Sequence, residues 1–224
     1  MRQFFRLSLV LCAFSALSVA QFGCSSAEVD ENDPAALMKD AEEDIQSSHY
    51  LLAIEKLQKI KNKHPYSKQA TEAALRLGDV YFMQESFIEA AATYEAFVDL
   101  HPKHEKIPYA MYRVGLSHYN DAPTEIARDL TPLAKAETAF KNYLEKFPNS
   151  EYSVDSKAKL LEVRGRLAEK ELYIANFYYK REMWEAAKGR FQKILNQFPD
   201  TAPANEATVK LKKIEEMPAD ASSS

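Results

Sequence analysis

The sequence predicts an all-α solenoid of about four helix pairs followed by one C-terminal capping helix. Glycine is scarce, with 5 residues in 224, whereas average usage of roughly 7% would give about 16. Apolar residues form 46% of the chain and charged residues 28%, which is typical of a globular protein. A repeat of about 34 residues also runs through the chain, and each copy ends in His-Pro or Phe-Pro.

The N-terminus has the pattern of an export signal. Arg2 and Arg6 precede an apolar run from Leu7 to Val19, which is too short to cross a bilayer core of about 30 Å. We expect a signal peptide over residues 1–23 and a flexible, polar tether over residues 24–33.

Two processing sites compete in this segment. Ser18–Ala20 fits ordinary cleavage after Ala20, whereas Gln21–Cys24 partly matches a bacterial lipobox. Because an exported protein rarely keeps an unpaired thiol, we favour lipid attachment at Cys24, which would anchor the protein without any other cofactor. Ser25 after the cysteine favours the outer membrane, by analogy with enteric sorting rules.

The second unit carries the clearest repeat pattern. Small residues at Gly78 and Ala90 would let its two helices approach closely, and aromatic residues would fill the space between units. The pattern is that of a tetratricopeptide repeat, and it consists of Leu77, Gly78, Tyr81, Ala90, Tyr94, Phe97 and Pro102.

The first unit follows the same frame and ends at Pro65. Its first helix is degenerate, because Asp40 and Asp44 stand in it, and a polar face suits a terminal repeat.

The third unit contains an insertion between its helices. Gly115 and Ala136 lie 21 residues apart, whereas Gly78 and Ala90 lie 12 apart. The nine extra residues predict a protruding loop over 120–131, and Pro132 suits the first turn of the next helix.

The fourth unit has a longer first helix. Pro148 and Tyr178 are 30 residues apart, against 16 from Pro65 to Tyr81. The 14 extra residues are close to four helical turns, so we expect one helix over 152–181, about 45 Å long. Residues 202–216 would cap the stack, which completes a repeat domain over 34–216 and leaves a disordered tail over 217–224.

Several stretches resemble one family, the tetratricopeptide lipoproteins of the bacterial outer-membrane β-barrel assembly machinery. The resemblance covers most of residues 34–216 and includes both insertions. Its most specific stretches are His101–His104, Tyr109–Leu116, Phe147–Tyr152, Arg166–Tyr173 and Phe177–Arg181 before Trp184.

This resemblance implies a non-enzymatic scaffold on the periplasmic face of the outer membrane. Its partners would be unfolded outer-membrane proteins, the central barrel subunit of the assembly complex and other assembly lipoproteins. An alternative with the same repeats is a periplasmic adaptor lipoprotein for pilus secretion or cell-wall enzymes. Depletion separates the two, because only an assembly factor would affect several unrelated barrels together.

A client groove is expected on the concave side of the stack, where first helices present the positions that usually meet ligands. Aromatic rings and scattered acids there would suit an extended peptide with an aromatic end. The alternative is that some of these tyrosines simply pack between helices. The predicted groove residues are Glu72, Leu75, Asp79, Phe82, Tyr109, Tyr112, Leu116 and Tyr119.

Arg181 precedes Trp184 at the turn of the fourth unit. By its match to the family pattern, it is the predicted contact with the barrel subunit, and a guanidinium offers bidentate geometry for such a contact. The alternative is a solvated turn residue.

Other functional classes have little support. The net charge of −4 argues against general nucleic-acid binding. His64 and His101 occupy the same turn position, so His101 and His104 predict repeat geometry rather than a metal site. No catalytic or nucleotide-binding motif stands out.

Overall fold

The computed structural model describes residues 30–217, which contain nine α-helices and no strand. The predicted signal peptide, Cys24 and most of the tail therefore lie outside the described residues. The helices are α1 Pro34–Gln46, α2 Tyr50–Lys63, α3 Lys68–Met83, α4 Phe87–Leu100, α5 Ile107–Asp121, α6 Thr131–Lys146, α7 Ser153–Lys180, α8 Trp184–Gln197 and α9 Ala202–Glu215.

These helices form four consecutive pairs and a single last helix, which confirms the predicted solenoid with its cap. Each helix packs against its neighbours in the chain, and α1 also contacts α3 while α7 contacts α9. Within residues 30–217, every extensive contact joins helices at most two apart in order. That pattern is typical of a stacked repeat protein rather than a closed bundle.

The turns between units repeat one backbone geometry. The residue after each second helix has φ between −126° and −133° and ψ between 45° and 60°. A proline follows in every case, and because proline disfavours helical backbone in the residue before it, each helix ends there. The four residues are His64, His101, Phe147 and Phe198.

The turns within units one, two and four share a different geometry. Ser48, Glu85 and Glu182 have φ of 59°, 61° and 60°. In each turn, the backbone N–H of the residue that follows this left-handed residue donates to the carbonyl five positions before it, at 2.8–3.1 Å. This hydrogen bond is that of a Schellman helix end.

Close approach within units two and three depends on glycine. A Cβ at Gly78 would lie 2.8 Å from the Tyr94 ring, and one at Gly115 would lie 2.6 Å from the Phe140 ring. Both rings are fully buried. The predicted role of Gly78 is therefore confirmed, and Gly115 has the same role.

The insertion in unit three is the segment 122–130 between α5 and α6. Its position agrees with the prediction, but it does not protrude freely. The Arg166 side chain donates to the Pro123 carbonyl, and Lys170 donates to the Arg128 carbonyl. Both donors stand on α7, so the loop is tied to the long helix, whose predicted extent is also confirmed.

The end of the predicted tether is also held in place. Glu31 pairs with Lys59 at 2.5 Å and with Lys63 at 2.9 Å, and Asp33 caps α1 through the Ala35 N–H. Glu31 thus lies against α2, and Asp33 belongs to the start of α1.

Two acids of the first helix, Asp40 and Asp44, share one cation within unit one. Lys56 on α2 contacts Asp40 and Asp44 at 2.5 Å each, and this contact leaves the opposite face of α1 apolar and buried.

Candidate peptide-binding surface

A cleft of about 600 Å³ lies between α1, α3 and the turn of residues 104–106 that precedes α5. Met38 and Leu75 give it apolar surface, and charged side chains of both signs surround them. We call the side of the stack lined by α1, α3, α5 and α7 the first-helix face. The charged and polar lining consists of Glu42, Lys68, Thr71, Glu72, Arg76, Asp79, His104, Glu105 and Lys106.

Arg76 forms an ion pair between two helices that line the cleft. Its guanidinium donates to both oxygens of Glu42, at 2.7 Å each, which joins α3 to α1. The pKa of Arg76 is raised by these bonds to Glu42. A bidentate pair of this kind holds both side chains in one orientation, so the two charges form a fixed wall.

Asp79 lies at the buried end of the cleft and is only 8% exposed. One of its oxygens accepts hydrogen bonds from Tyr94 and Tyr109, at 2.6 Å each. Burial, followed by the nearby Asp79 charge, raises the pKa of both phenols, so they remain neutral donors. This corrects the expectation of an exposed groove acid, because the Asp79 carboxylate links α3 to α4 and α5.

Arg113 adds a cation to the aromatic part of this surface. Its guanidinium carbon lies 3.8 Å from the centre of the Phe82 ring, and it lies 5.6 Å from the Tyr94 and Tyr109 rings. A cation over aromatic faces is stabilised by the ring quadrupole. Phe82 is therefore half-buried beneath Arg113 rather than an open aromatic contact.

Tyrosines of α5 bond to carboxylates of α7 farther along the same face. The Tyr112 hydroxyl donates to Asp155 at 2.6 Å, and Tyr119 donates to Glu162. Burial first, and these carboxylates second, raise the pKa of both phenols. The bond from Tyr119 lowers the pKa of Glu162. These bonds fix the first helix of unit three against that of unit four.

Tyr152 extends this aromatic surface. Its ring stacks on Tyr112 with centres 4.6 Å apart and planes 10° apart, and it also approaches Tyr109.

The predicted groove residues thus fall into three groups. Glu72 is exposed, Asp79 is buried, and the remaining six are half-buried along α3 and α5. Glu72, Leu75 and Asp79 share the cleft, whereas Tyr112, Leu116 and Tyr119 pack toward α6 and α7. The alternative of tyrosines packing between helices therefore holds in part, because their hydroxyls are bonded within the protein.

Sequence reasoning missed the partners of these residues. Asp155 and Glu162 are seven residues apart, as are Tyr112 and Tyr119, and seven residues make about two helical turns. That matched spacing was a usable signal. The sequence contains no such signal for the pairing of Arg76 with Glu42, because that pairing depends on how α1 and α3 pack.

Arg181 lies exposed at the end of α7, with its guanidinium carbon 3.9 Å from the Phe177 ring centre. It forms no ion pair within 4 Å among the described residues. Tyr173, Phe177 and Met183 nearby are 56%, 45% and 45% exposed. The turn thus presents Arg181 on exposed apolar surface, beside the exposed charges of Lys180 and Glu182. The predicted partner contact remains a prediction.

The histidines of the turn between α4 and α5 have a structural role. His101 and His104 both lie against Phe97, with ring centres 5.1 and 5.2 Å away. Residues 30–217 contain no cluster of acidic, histidine or cysteine side chains arranged to hold a metal ion. In that same range, no helix has the length and apolar character needed to cross a membrane.

The fold and this surface define a helical-repeat scaffold of the tetratricopeptide class. A family model described as outer membrane lipoprotein (YfiO) matches residues 30–221. The chain belongs to this family, whose curated relatives carry the name outer membrane protein assembly factor BamD.

The relatives match over most of their length. The protein from Vibrio cholerae serotype O1 is 33% identical over 208 residues, which cover 88% of this chain and 86% of the relative. That from Rickettsia prowazekii is 29% identical over 210 residues, covering 92% and 83%. That from Neisseria meningitidis serogroup A is 29% identical over 180 residues, covering 76% and 67%.

Two solved structures illustrate what the chain is similar to in fold. The first TPR of Spaghetti (RPAP3), bound to an HSP90 peptide, has a TM-score of 0.46 and 20% identity, and the match covers 63% of this chain and 98% of that one. MamA from Desulfovibrio magneticus RS-1 has a TM-score of 0.42 and 18% identity, covering 75% and 77%.

Proposed function

We propose that the protein is a non-enzymatic scaffold of outer-membrane β-barrel assembly. It binds unfolded barrel proteins on its first-helix face and the central, BamA-like barrel subunit through the turn at Arg181. Membership of the BamD family supports a role in outer-membrane protein assembly. The observation that carries the client site is the cleft of about 600 Å³, in which Met38 and Leu75 lie among charges of both signs.

The chemistry of this face suits an extended apolar chain. Unfolded barrel strands alternate apolar and polar side chains, and the cleft offers apolar surface beside fixed charges. Because the tyrosine hydroxyls of α5 are bonded internally, the rings are held rigid. Rigid rings lose little conformational entropy when a ligand covers them.

The partner contact has a separate location. Arg181 caps α7 at the opposite end of the stack from the cleft, and it stands on exposed aromatic surface. A cation on an apolar patch is well suited to an acidic partner side chain, because the surrounding rings exclude water from the pair. Client and barrel subunit can thus bind together.

A lipid on Cys24 would hold this scaffold at the periplasmic face of the outer membrane, beside other assembly lipoproteins. Because Glu31 is paired with α2, the anchor is close to unit one: the six residue-to-residue steps from Cys24 to Asp30 reach at most about 20 Å. Such a short span would keep unit one next to the membrane surface. Mass spectrometry of the N-terminus tests this, since cleavage after Ala20 without acylation would contradict it.

Client binding is tested with a synthetic peptide copied from the last strand of an outer-membrane barrel and ending in an aromatic residue. Leu75→Glu places a charge in the apolar part of the cleft, so we expect the Kd to rise about tenfold or more. Ile88→Glu is the control, since Ile88 is exposed on α4 and does not line the cleft. Fluorescence anisotropy gives the Kd, and a thermal melt verifies folding. Equal affinity of both variants would remove the cleft assignment.

The partner contact is tested by charge reversal. Arg181→Glu turns the proposed attraction into repulsion, so we expect the barrel subunit no longer to co-purify with the protein from detergent-solubilised membranes. Lys157→Glu, an exposed lysine near the start of α7, makes the same charge change and should retain the subunit. Unchanged co-purification of the Arg181 variant would contradict the assignment.

A further inference from the structure

A second concave surface lies between the second helices of units two and three. The helices α4 and α6 form its walls and α5 its floor, and together they enclose about 830 Å³. We call it the second-helix groove. Its apolar lining comes from all three helices and consists of Val98, Met111, Val114, Ala134 and Ala139.

The two walls of the groove carry opposite charge. Glu95 and Asp99 line it from α4, whereas Lys135 and Lys146 line it from α6. The two walls do not pair with each other across the groove in the described structure, where the closest partner of Glu95 is His118 on the floor, at 3.5 Å. An apolar strip between an acidic and a basic wall therefore faces outward.

The walls of the groove favour a bound helix over a bound strand. The backbone groups of α4 and α6 are bonded within their own helices, so the groove offers no row of free N–H and C=O groups to an extended strand. The hydroxyl of Thr138, which could have donated from the wall, bonds to the Ala134 carbonyl at 3.0 Å. A strand would thus bury unpaired peptide groups, whereas a helix satisfies its own. The wall from Thr131 to Lys146 has 16 residues, about 24 Å, enough for four turns of a helix.

We propose that the second-helix groove binds an amphipathic α-helix of a partner protein. The apolar stripe of that helix lies on Val114 and Met111, its basic flank faces Glu95 and Asp99, and its acidic flank faces Lys135 and Lys146. Matching of the two flanks to the two walls fixes the direction of the bound helix. This site is separate from the client cleft and from Arg181, so the proposal does not depend on either.

The probe is a designed helical peptide of about 18 residues with a leucine stripe, lysines on one flank and glutamates on the other. We expect saturable binding to the full chain by isothermal titration. In the double variant Lys135→Glu and Lys146→Glu both walls are acidic, so the Kd of this peptide should rise about tenfold or more. A second peptide with lysines on both flanks should bind that variant about tenfold tighter than it binds the unaltered protein.

The matched control is Lys157→Glu with Lys213→Glu, which makes the same charge change at exposed positions outside the groove. It should bind both peptides as the unaltered protein does. Binding that is absent, or equally weakened in the control, would overturn the proposal.

Photo-crosslinking in cells from Asn142, which lines the groove, provides an independent test. Crosslinks to a helical segment of another protein would support the assignment. Crosslinks to a second copy of this chain, to lipid or to an extended barrel client would each overturn it.

Discussion

Single residues set how closely the helices of a unit pack. Gly78 and Gly115 stand where a Cβ would overlap a buried ring by several tenths of an ångström. Gly165 on α7 differs, because nothing lies within 4 Å of a Cβ placed there. The same residue type therefore has opposite consequences for stability at different sites.

Gly115→Ala should lower the free energy of unfolding by up to about 2 kcal/mol. Overpacking against the immobile Phe140 ring costs about 1–3 kcal/mol, which exceeds the helix propensity of about 1 kcal/mol that alanine contributes. Gly165→Ala is the matched control and should raise the free energy of unfolding by up to about 1 kcal/mol. Urea unfolding followed by circular dichroism measures both, and equal effects would contradict the packing argument.

At the scale of whole elements, the turns inside units one, two and four depend on one left-handed residue each. Those residues are serine or glutamate rather than glycine, so each helix end carries conformational strain. Unit three has no such residue, because the segment 122–130 replaces the tight turn.

Glu85→Gly should therefore stabilise the protein by up to about 1 kcal/mol, since glycine adopts φ of 61° without steric cost. The same change at Glu169, an exposed position inside α7, should destabilise it by about 1 kcal/mol. Thermal unfolding of the two variants gives shifts of opposite sign. A lower melting temperature for the Glu85 variant would contradict the claim that the backbone at Glu85 is strained.

Across the whole molecule, ion pairs join one unit to the next. Arg164 on α7 donates to Asp200 after α8 at 3.0 Å and to Glu137 on α6 at 2.8 Å. The bonds from Arg164 hold the pKa of Asp200 below its usual range. Lys59 and Lys63 lower the pKa of Glu31 to about 2 at the other end of the stack.

These lowered values predict loss of stability in acid. A carboxyl whose pKa is lower in the folded protein stabilises it above the unfolded pKa of about 4, and that stabilisation disappears as the pH falls through the folded pKa. We expect the urea midpoint to fall between about pH 5 and pH 2. Asp200→Asn should make this fall shallower, whereas Asp99→Asn, without an ion pair to lose, should not. Identical pH profiles would contradict the role of Arg164.

The sequence could predict features that depend on spacing along the chain. The repeat frame, the lengthened α7 and the position of the inserted segment all follow from distances between glycine, alanine, tyrosine and proline residues, because each unit repeats the same positions along the chain. Apart from the matched spacing of Asp155 and Glu162, the arrangement of charges in the site could not be predicted in this way. Whether Asp79 is buried, or Arg166 holds the Pro123 carbonyl, depends on the rotation of two helices about each other, which no local spacing encodes.

The neighbour-to-neighbour packing of the helices also bears on how the chain acquires its structure. Because each unit is completed by segments close to it in sequence, the entropic cost of loop closure is small and the relative contact order is low. Folding can begin in any unit and spread in both directions. The central units then hold together longest under denaturant, while the outermost helices fray first.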